Sequence, residues 1–444
     1  MFDLCMFTTS FINFYIIVPF IFLLGLFLTF RLKALQVRGL KMSLIHLLKQ
    51  TSSSVDKQTK PISRLTLMAS VLSGNLGTGT ITGMAVALTT GGPGSLIWMW
   101  GVTFVGSIVQ FSSSFLGLKY RTRVETGEFI SGPMCYLLRG LNLKFLSIAF
   151  CFFTILTACF AGNVLQVNTL VHLCSKNMLP GWLCGFFLIL PVSLVISGGY
   201  RRIVRFSAKL ITIVGICYCL ALLYILFFNY HEIIPSLKLI FKAAFGIKAA
   251  VGGIGGFSFF HVLSTGASRA IMAADSGNGM VSILQSDSKT NNPVIDGLVT
   301  LFPSLIVMTL CSLTALSLIV SGGLHSGLVG SQMVLYVFSS VLGEKLGFCI
   351  VFLATALFGY TTILSWFACA DKALLFLSNQ TKWKILLKYV YLLLLPLAAF
   401  VDVRFIWVLS DLAFIGMVII NLIGITGLAK EICLKQESFL NLIK

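Results

Sequence analysis

Apolar runs separated by short polar stretches repeat along all 444 residues. They fall at about 10–30, 65–88, 95–118, 145–172, 181–199, 207–228, 249–281, 297–320, 346–368, 385–401 and 405–428. A bilayer core takes roughly 20 apolar residues in helix, so the pattern predicts an all-α integral membrane protein of about 11 transmembrane helices. Two of the runs are broken by glycine. One reads Ser73-Gly74-Asn75-Leu76-Gly77-Thr78-Gly79-Thr80 and continues to Gly83; the other reads Gly252-Gly253-Ile254-Gly255-Gly256, with Gly266 beyond. Glycine in mid-helix costs about 1 kcal/mol relative to alanine. Irregular backbone at membrane depth is tolerated only where it is buried in protein or lines a cavity. A lone G-x-x-x-G, such as Gly79–Gly83 or Gly252–Gly256, marks close helix contact. Clustered glycines with polar neighbours, placed alike in two halves, mark the central site of a secondary transporter.

Residues 1–30 form an extra N-terminal transmembrane helix, and 31–64 a basic cytoplasmic loop. The ten crossings that remain divide into repeats at 65–228 and 249–428, broken in their first and sixth helices. Five crossings is an odd number, so the second repeat is inverted. Segment 229–248 sets Lys238 and Lys242 on one face and Leu237, Ile240, Phe241 and Ala244 on another, as in a helix on the external membrane surface. Residues 429–444 form a cytoplasmic tail. A half-helix start offers free N–H groups to a carboxylate, and freed carbonyls suit a small cation. Thr78, Thr80 and Thr82 add hydroxyls. The solute these features imply is small, carries a carboxylate and travels with a cation.

Composition agrees, with 57% hydrophobic and 10% charged residues. A net charge of +18 would suggest nucleic acid in a soluble protein, but no folded domain offers a basic face. With the N-terminus outside, 26 basic residues fall in 31–64, 119–144, 201–209, 372–388 and 430–444 and at Arg269 and Lys289, all cytoplasmic. Six (Lys176, Lys238, Lys242, Lys248, Lys345 and Arg404) fall outside. That asymmetry places the C-terminus inside. Residues 1–30 lack the basic start of a secretory signal and read as an uncleaved helix. The twelve cysteines form no C-x-x-C pair. His231-Glu232 meets proline at 235 rather than completing H-E-x-x-H, and Gly77-x-Gly79 has neither a preceding strand nor a phosphate-binding lysine. No catalytic set is visible, and the expectation is a carrier, not an enzyme.

The motifs resemble those of the alanine/glycine:cation symporters from about residue 33 to 428. Lys33-Ala34-Leu35-Gln36-Val37-Arg38-Gly39, Gly77-Thr78-Gly79 with Ile81, and Gly91-Gly92-Pro93-Gly94 with Trp98-Met99-Trp100 are similar to family motifs in order. So are Gly127-Glu128, Gly132-Pro133-Met134-Cys135-Tyr136, Gly162-Asn163-Val164-Leu165-Gln166-Val167-Asn168 and Thr362-Ile363-Leu364-Ser365-Trp366. The resemblance implies a leucine-transporter-like fold in a bacterial inner membrane and sodium-coupled uptake of alanine or glycine. It also implies a substrate site at Gly77, Thr78 and Gly79 with Gln166, closed by Trp366. Sodium would lie between carbonyls near Ser73 and Leu76 and the hydroxyls of Thr361 and Thr362. A monomer suffices for this mechanism.

Departures fall on functional elements. Thr80 stands where the family has asparagine, Ala274 precedes Asp275 where asparagine precedes an acid, and Ile420 replaces the proline before Asn421. His261 stands close after Gly256 where an apolar residue is usual. An intramembrane histidine is a functional candidate, so His261 is expected to line the substrate pocket with Gly256 and Thr80; the alternatives are a proton-coupled or altered-substrate permease, or a non-transporting ligand-binding paralogue. Asp275 has two structural readings, a partner of Arg269 near the cytoplasmic end of the sixth helix or a cap to the following loop; an inner gate is the functional alternative. Asp411 reads as a partner of Arg404 at the outer side.

Overall fold

The computed structural model describes residues 8–9, 11–48, 62–125, 127–174, 180–245, 259–288 and 292–434. Within them the chain is almost wholly helical. Helix α1 (Asn13–Arg31) opens the bundle, and short helices at Leu35–Arg38 and Leu40–Leu48 replace the loop expected over that part of 31–64. Leu35 is fully buried and Gln36 donates to Thr29 Oγ1 at 2.8 Å, so this segment folds back on the bundle.

Helix α2 (Arg64–Asn75) begins where Ser63 Oγ accepts the Thr66 amide, a side-chain cap on the first turn. It ends at Asn75; Leu76 and the extended Gly77 intervene, and α3 (Thr78–Gly91) departs at 43°. Helix α4 (Ser95–Lys119) lies buried at the centre, and its serines and Gln110 make it the polar spine of the interior. A two-stranded hairpin, β1 (Thr122–Arg123) and β2 (Phe129–Ile130), leads to α5 (Pro133–Arg139). Helix α6 (Lys144–Cys174) contains a π-turn at Phe160–Val164. Helices α7 (Gly181–Ile196), α8 (Gly199–Phe228) and α9 (Ile233–Phe245) follow. In α9, Ser236, Ile240 and Ala244 are buried at helical spacing, while Leu237 and Phe241 are exposed beside the lysines. The face that the sequence pattern makes apolar is thus split, Ile240 and Ala244 packing inward while Leu237 and Phe241 remain exposed.

The second half holds α10 (Phe259–Ala274), α11 (Met280–Leu284), α12 (Pro293–Val320), α13 (Ser331–Leu342), α14 (Glu344–Leu377), α15 (Thr381–Leu397) and α16 (Val403–Gly427). Among the described residues seven helices are long and apolar enough to cross a membrane, eight if α2 and α3 form one span. These eight match eight of the expected eleven. The other three expectations fall on the short helices α7 and α15 and on α10 with α11, where the expected span begins outside the described residues and is interrupted after α10. Helix α13 was not foreseen.

The glycine cluster at 252–256 lies outside the described residues. The interruption that the structure describes in this half comes later, at Asp275–Gly279 between α10 and α11. Asp275, Gly277 and Gly279 all have positive φ there (52°, 107° and 84°), a conformation that costs an ordinary side chain energy and that two glycines relieve. Asp275 thus directly follows the end of α10, as expected, but it is buried and not close to water. A Cβ added to Gly74, in the last turn of α2, would meet the Met280 side chain at 2.8 Å, so the two interruptions abut.

Candidate functional site

Where α2 gives way to α3, the first turn of α3 needs partners for its free N–H groups. Gln166 of α6 supplies one. Its Oε1 accepts from the Thr78 amide and from Thr78 Oγ1, each at 3.0 Å, while its Nε2 donates to Ala161 O at 2.9 Å. The Ala161 carbonyl belongs to the π-turn, so this irregular turn orients the glutamine that caps the broken helix.

Above that cap lies a cavity of about 90 Å³, walled by Gly77, Thr78, Gly79, Thr80, Gln166 and Trp366 among others. Its size suits a ligand of a few heavy atoms, against the roughly 300–1,000 Å³ of sites for drug-sized molecules. Gly79 opens straight into it, since a Cβ there would have nothing within 4 Å. Gly83, one turn later, would meet only Arg269 Nη1 at 3.8 Å. The Gly79–Gly83 pair is thus a cavity wall and not a helix contact. Trp366 is packed over Gly162, where any Cβ would fall 2.3 Å from its own, and it meets Phe414 edge-on at 5.6 Å. Thr80 Oγ1 and Asn75 Nδ2 are buried without hydrogen-bond partners among the described residues, a polar surface left for something else.

Arg269 also lines the cavity, about 6 Å along α3 from Gly79. Its guanidinium lies 5.0 Å from the Trp407 ring and is attracted by Asp411 without forming an ion pair within 4.0 Å. It does not pair with Asp275, which instead accepts the Val281 amide at 2.7 Å and caps α11. Of the two readings of Asp275, the cap is the one realised. The Arg404 side chain lies outside the described residues, as do Gly256 and the side chain of His261, although His261 belongs to α10.

Beneath the cavity, Thr362 Oγ1 of α14 donates to Ser73 O at 3.0 Å and lies 3.5 Å from Leu76 O. Ser365 Oγ is 2.5 Å from Ser73 Oγ, and Ser70 O accepts from both serines. Thr361 does not join them; its hydroxyl bonds back to Phe358 O at 3.0 Å within its own helix. Neutral hydroxyls and carbonyls from α2 and α14 therefore converge, an all-oxygen set suited to a hard cation. Ser365 went unread in the sequence, although its i+3 spacing from Thr362 sets both on one face.

The profile of the sodium:alanine symporter family matches residues 3–444. The chain belongs to this family. It is similar to the sodium/alanine symporter AgcS of Methanococcus maripaludis, 29% identical over 94% of this chain and 92% of that one. It is also similar to the "Probable sodium/glutamine symporter GlnT" of Bacillus subtilis, 30% identical over 92% of this chain and 84% of that one. A Na+-coupled sialic acid symporter, solved in a substrate-bound outward-open state, shares the fold with a TM-score of 0.53 at 15% identity, over 90% of this chain and 85% of that one. As a member of the family, this chain is a multi-pass membrane protein and a sodium/amino-acid symporter.

Proposed function

We propose that this symporter carries a small neutral amino acid, alanine or glycine, into a bacterial cell with Na+ by alternating access. The observation that carries the reading is the stacking of two sites at one helix break: a small cavity opened by Gly79 above, and the neutral oxygens of Ser73, Leu76, Thr362 and Ser365 below. In the reading, the substrate carboxylate faces the start of α3, where backbone N–H groups and the dipole favour an anion. Na+ lies at the α2–α14 oxygens, and its binding favours the outward-open state so that substrate loads from outside. Trp366 and Phe414 cover the substrate. The fold is leucine-transporter-like, with two repeats of five and the basic end in the cytoplasm.

A second reading is an altered substrate. Thr80 keeps an oxygen acceptor but lacks the paired donors of an asparagine amide, and the GlnT relative is named for glutamine. Uptake of labelled alanine, glycine, glutamine and a wider amino-acid panel into proteoliposomes separates the two, run with an inward Na+ gradient, an inward proton gradient or neither. Sodium-driven accumulation of alanine or glycine is expected. Preference for a larger amino acid favours the second reading, and binding without accumulation under any gradient overturns both.

A further inference from the structure

The interruption between α10 and α11 holds a carboxylate that neither the substrate cavity nor the cation site uses. Asp275 is 1% exposed. Its Oδ2 takes the Val281 amide, and the backbone amides of Asn278, Gly279 and Met280 also help to hold the carboxylate. Its Oδ1 has no partner among the described residues. No Lys, Arg or His side chain among them comes within 4.0 Å. The titratable groups facing it from neighbouring elements are Tyr136 of α5 and Cys369 of α14, and Arg269 stands six residues earlier on its own helix. Helices α4, α12 and α16 face this region with Gln110, Ser113, Ser304 and Asn421, none of which titrates.

Taking a carboxylate out of water without a cation costs several kcal/mol, and two ions can relieve that cost. A sodium ion is the first. The backbone groups around this carboxylate are amide donors, which repel a cation. A proton is the second, and it needs no volume. Ser113 and Ser282 line this region with their hydroxyls 3.3 Å apart, and neither bonds Oδ1.

We propose that Asp275 is a proton-binding site of the transport cycle, so that each turnover moves H+ together with Na+ and the amino acid. The proton binds Oδ1 to give the neutral acid from one side of the membrane and leaves the same oxygen to the other. Its charge state reaches the transport site through short contacts. Met280 closes on Gly74 at the first break, and Asn421 of α16 donates to Gly277 O at 2.8 Å, tying the interruption to the helix that carries Phe414.

The inference rests on the transport reading above, so uptake and proton movement are read separately. Full-length protein is reconstituted with a pH-sensitive dye in the vesicle lumen, symmetrical starting pH and the membrane potential clamped with potassium and valinomycin. Labelled alanine, and then each other member of the panel, is added with an inward Na+ gradient. Wild type is expected to acidify the lumen in step with uptake. Asp275→Asn keeps an oxygen for the Val281 amide and is expected to lose the acidification while retaining alanine–alanine exchange; Asp275→Glu is expected to restore it. Sodium-driven uptake by wild type with no acidification overturns the proton site and leaves the symporter reading intact. Acidification that persists in Asp275→Asn assigns the proton elsewhere. If Asp275→Asn loses exchange as well, a proton-coupled wild type with Asp275→Glu still coupled supports the site, and an uncoupled Asp275→Glu overturns it. No uptake of any panel member overturns both readings.

Discussion

At the scale of residues, the site is decided by which oxygens point into the break and which bond elsewhere. Thr361 and Thr362 are neighbours in sequence and chemically alike, yet only Thr362 reaches across to Ser73 O and Leu76 O. Thr362→Ala is therefore expected to raise the sodium concentration for half-maximal uptake about tenfold or more, at about 1.4 kcal/mol per tenfold. Ser365→Ala is expected to act in the same direction. Thr361→Ala removes only an internal helix bond worth about 0.5–1.5 kcal/mol to stability and should leave sodium dependence near wild type. Uptake measured across a sodium series decides this; equal effects of the two threonine changes would refute the assignment. Gly77, Thr78, Gly79, Gln166 and Trp366 were legible in the sequence because each lies in a family motif, and the structure gathers them around one cavity. Thr361 bonds within its own helix instead, and which of two adjacent hydroxyls faces a partner helix depends on a rotation that sequence pattern does not reveal. Arg269 was placed near water because a charge in an apolar run is cheapest there. It lies instead against Trp407 within the cavity wall.

At the scale of elements, the first interruption was readable and the described second one was not. Between α2 and α3 the clustered glycines mark the place, and the break itself falls at Leu76 and the extended Gly77. Between α10 and α11 only Gly277 and Gly279 mark the break, and the break expected at 252–256 lies outside the described residues. The elements are joined at the basic end of the bundle by a contact that no periodicity announces. Lys372, fully buried near the end of α14, donates to Glu128 Oε2 and to Phe129 O at 3.0 Å each and lies 4.4 Å from the Tyr200 ring. It also lies 3.8 Å from Asp287, which Arg201 approaches at 3.4 Å. One lysine thus ties α14, the β-hairpin, α8 and the segment after α11 together. Burial raises the Glu128 carboxyl, but attraction and hydrogen bonding from Lys372, with smaller help from Lys384 and Arg201, outweigh it and hold the group below its ordinary value of 4.5. A lowered value in the folded state means stability that is present above pH 4.5 and lost as pH falls through the folded value. Lys372→Met is expected to lower the detergent melting temperature at neutral pH and to flatten this acid limb of the stability profile. Glu128 is more than a third exposed, so the lost pair itself contributes at the weak, screened end of the range. A melting temperature that follows the same acid limb in wild type and Lys372→Met would show that the pair does not hold this end together.

At the scale of the whole molecule, charge and hydropathy set the class, and the family profile over 3–444 agrees with it. Of the eleven expected crossings, eight are matched by long apolar helices among the described residues; α7 and α15 are short, and the stretch before α10 lies outside the described residues. Hydropathy alone does not tell a short helix leaning on its neighbours from one that spans. Sidedness is the remaining whole-molecule question. The ends of α1, α4 and α5, the start of α8 and the Lys372 cluster gather the basic residues at one end. Helix α9, with Lys238 and Lys242, packs near the start of α4 at the other, where Gly94 would meet the Ala244 amide at 2.5 Å if it had a Cβ. The positive-inside rule assigns the first end to the cytoplasm. Arg269 lines the cavity and so leaves that tally, which still strongly favours the same side. In a cysteine-free background, a single cysteine at Lys242 is expected to react with a membrane-impermeant maleimide in intact cells. One at Lys382, exposed at the start of α15, is expected to react only after the cells are opened. The reverse pattern would turn the molecule over. It would then put the cavity side of α3 toward the cytoplasm, and the Na+ gradient could no longer load substrate from outside through the opening beside Gly79.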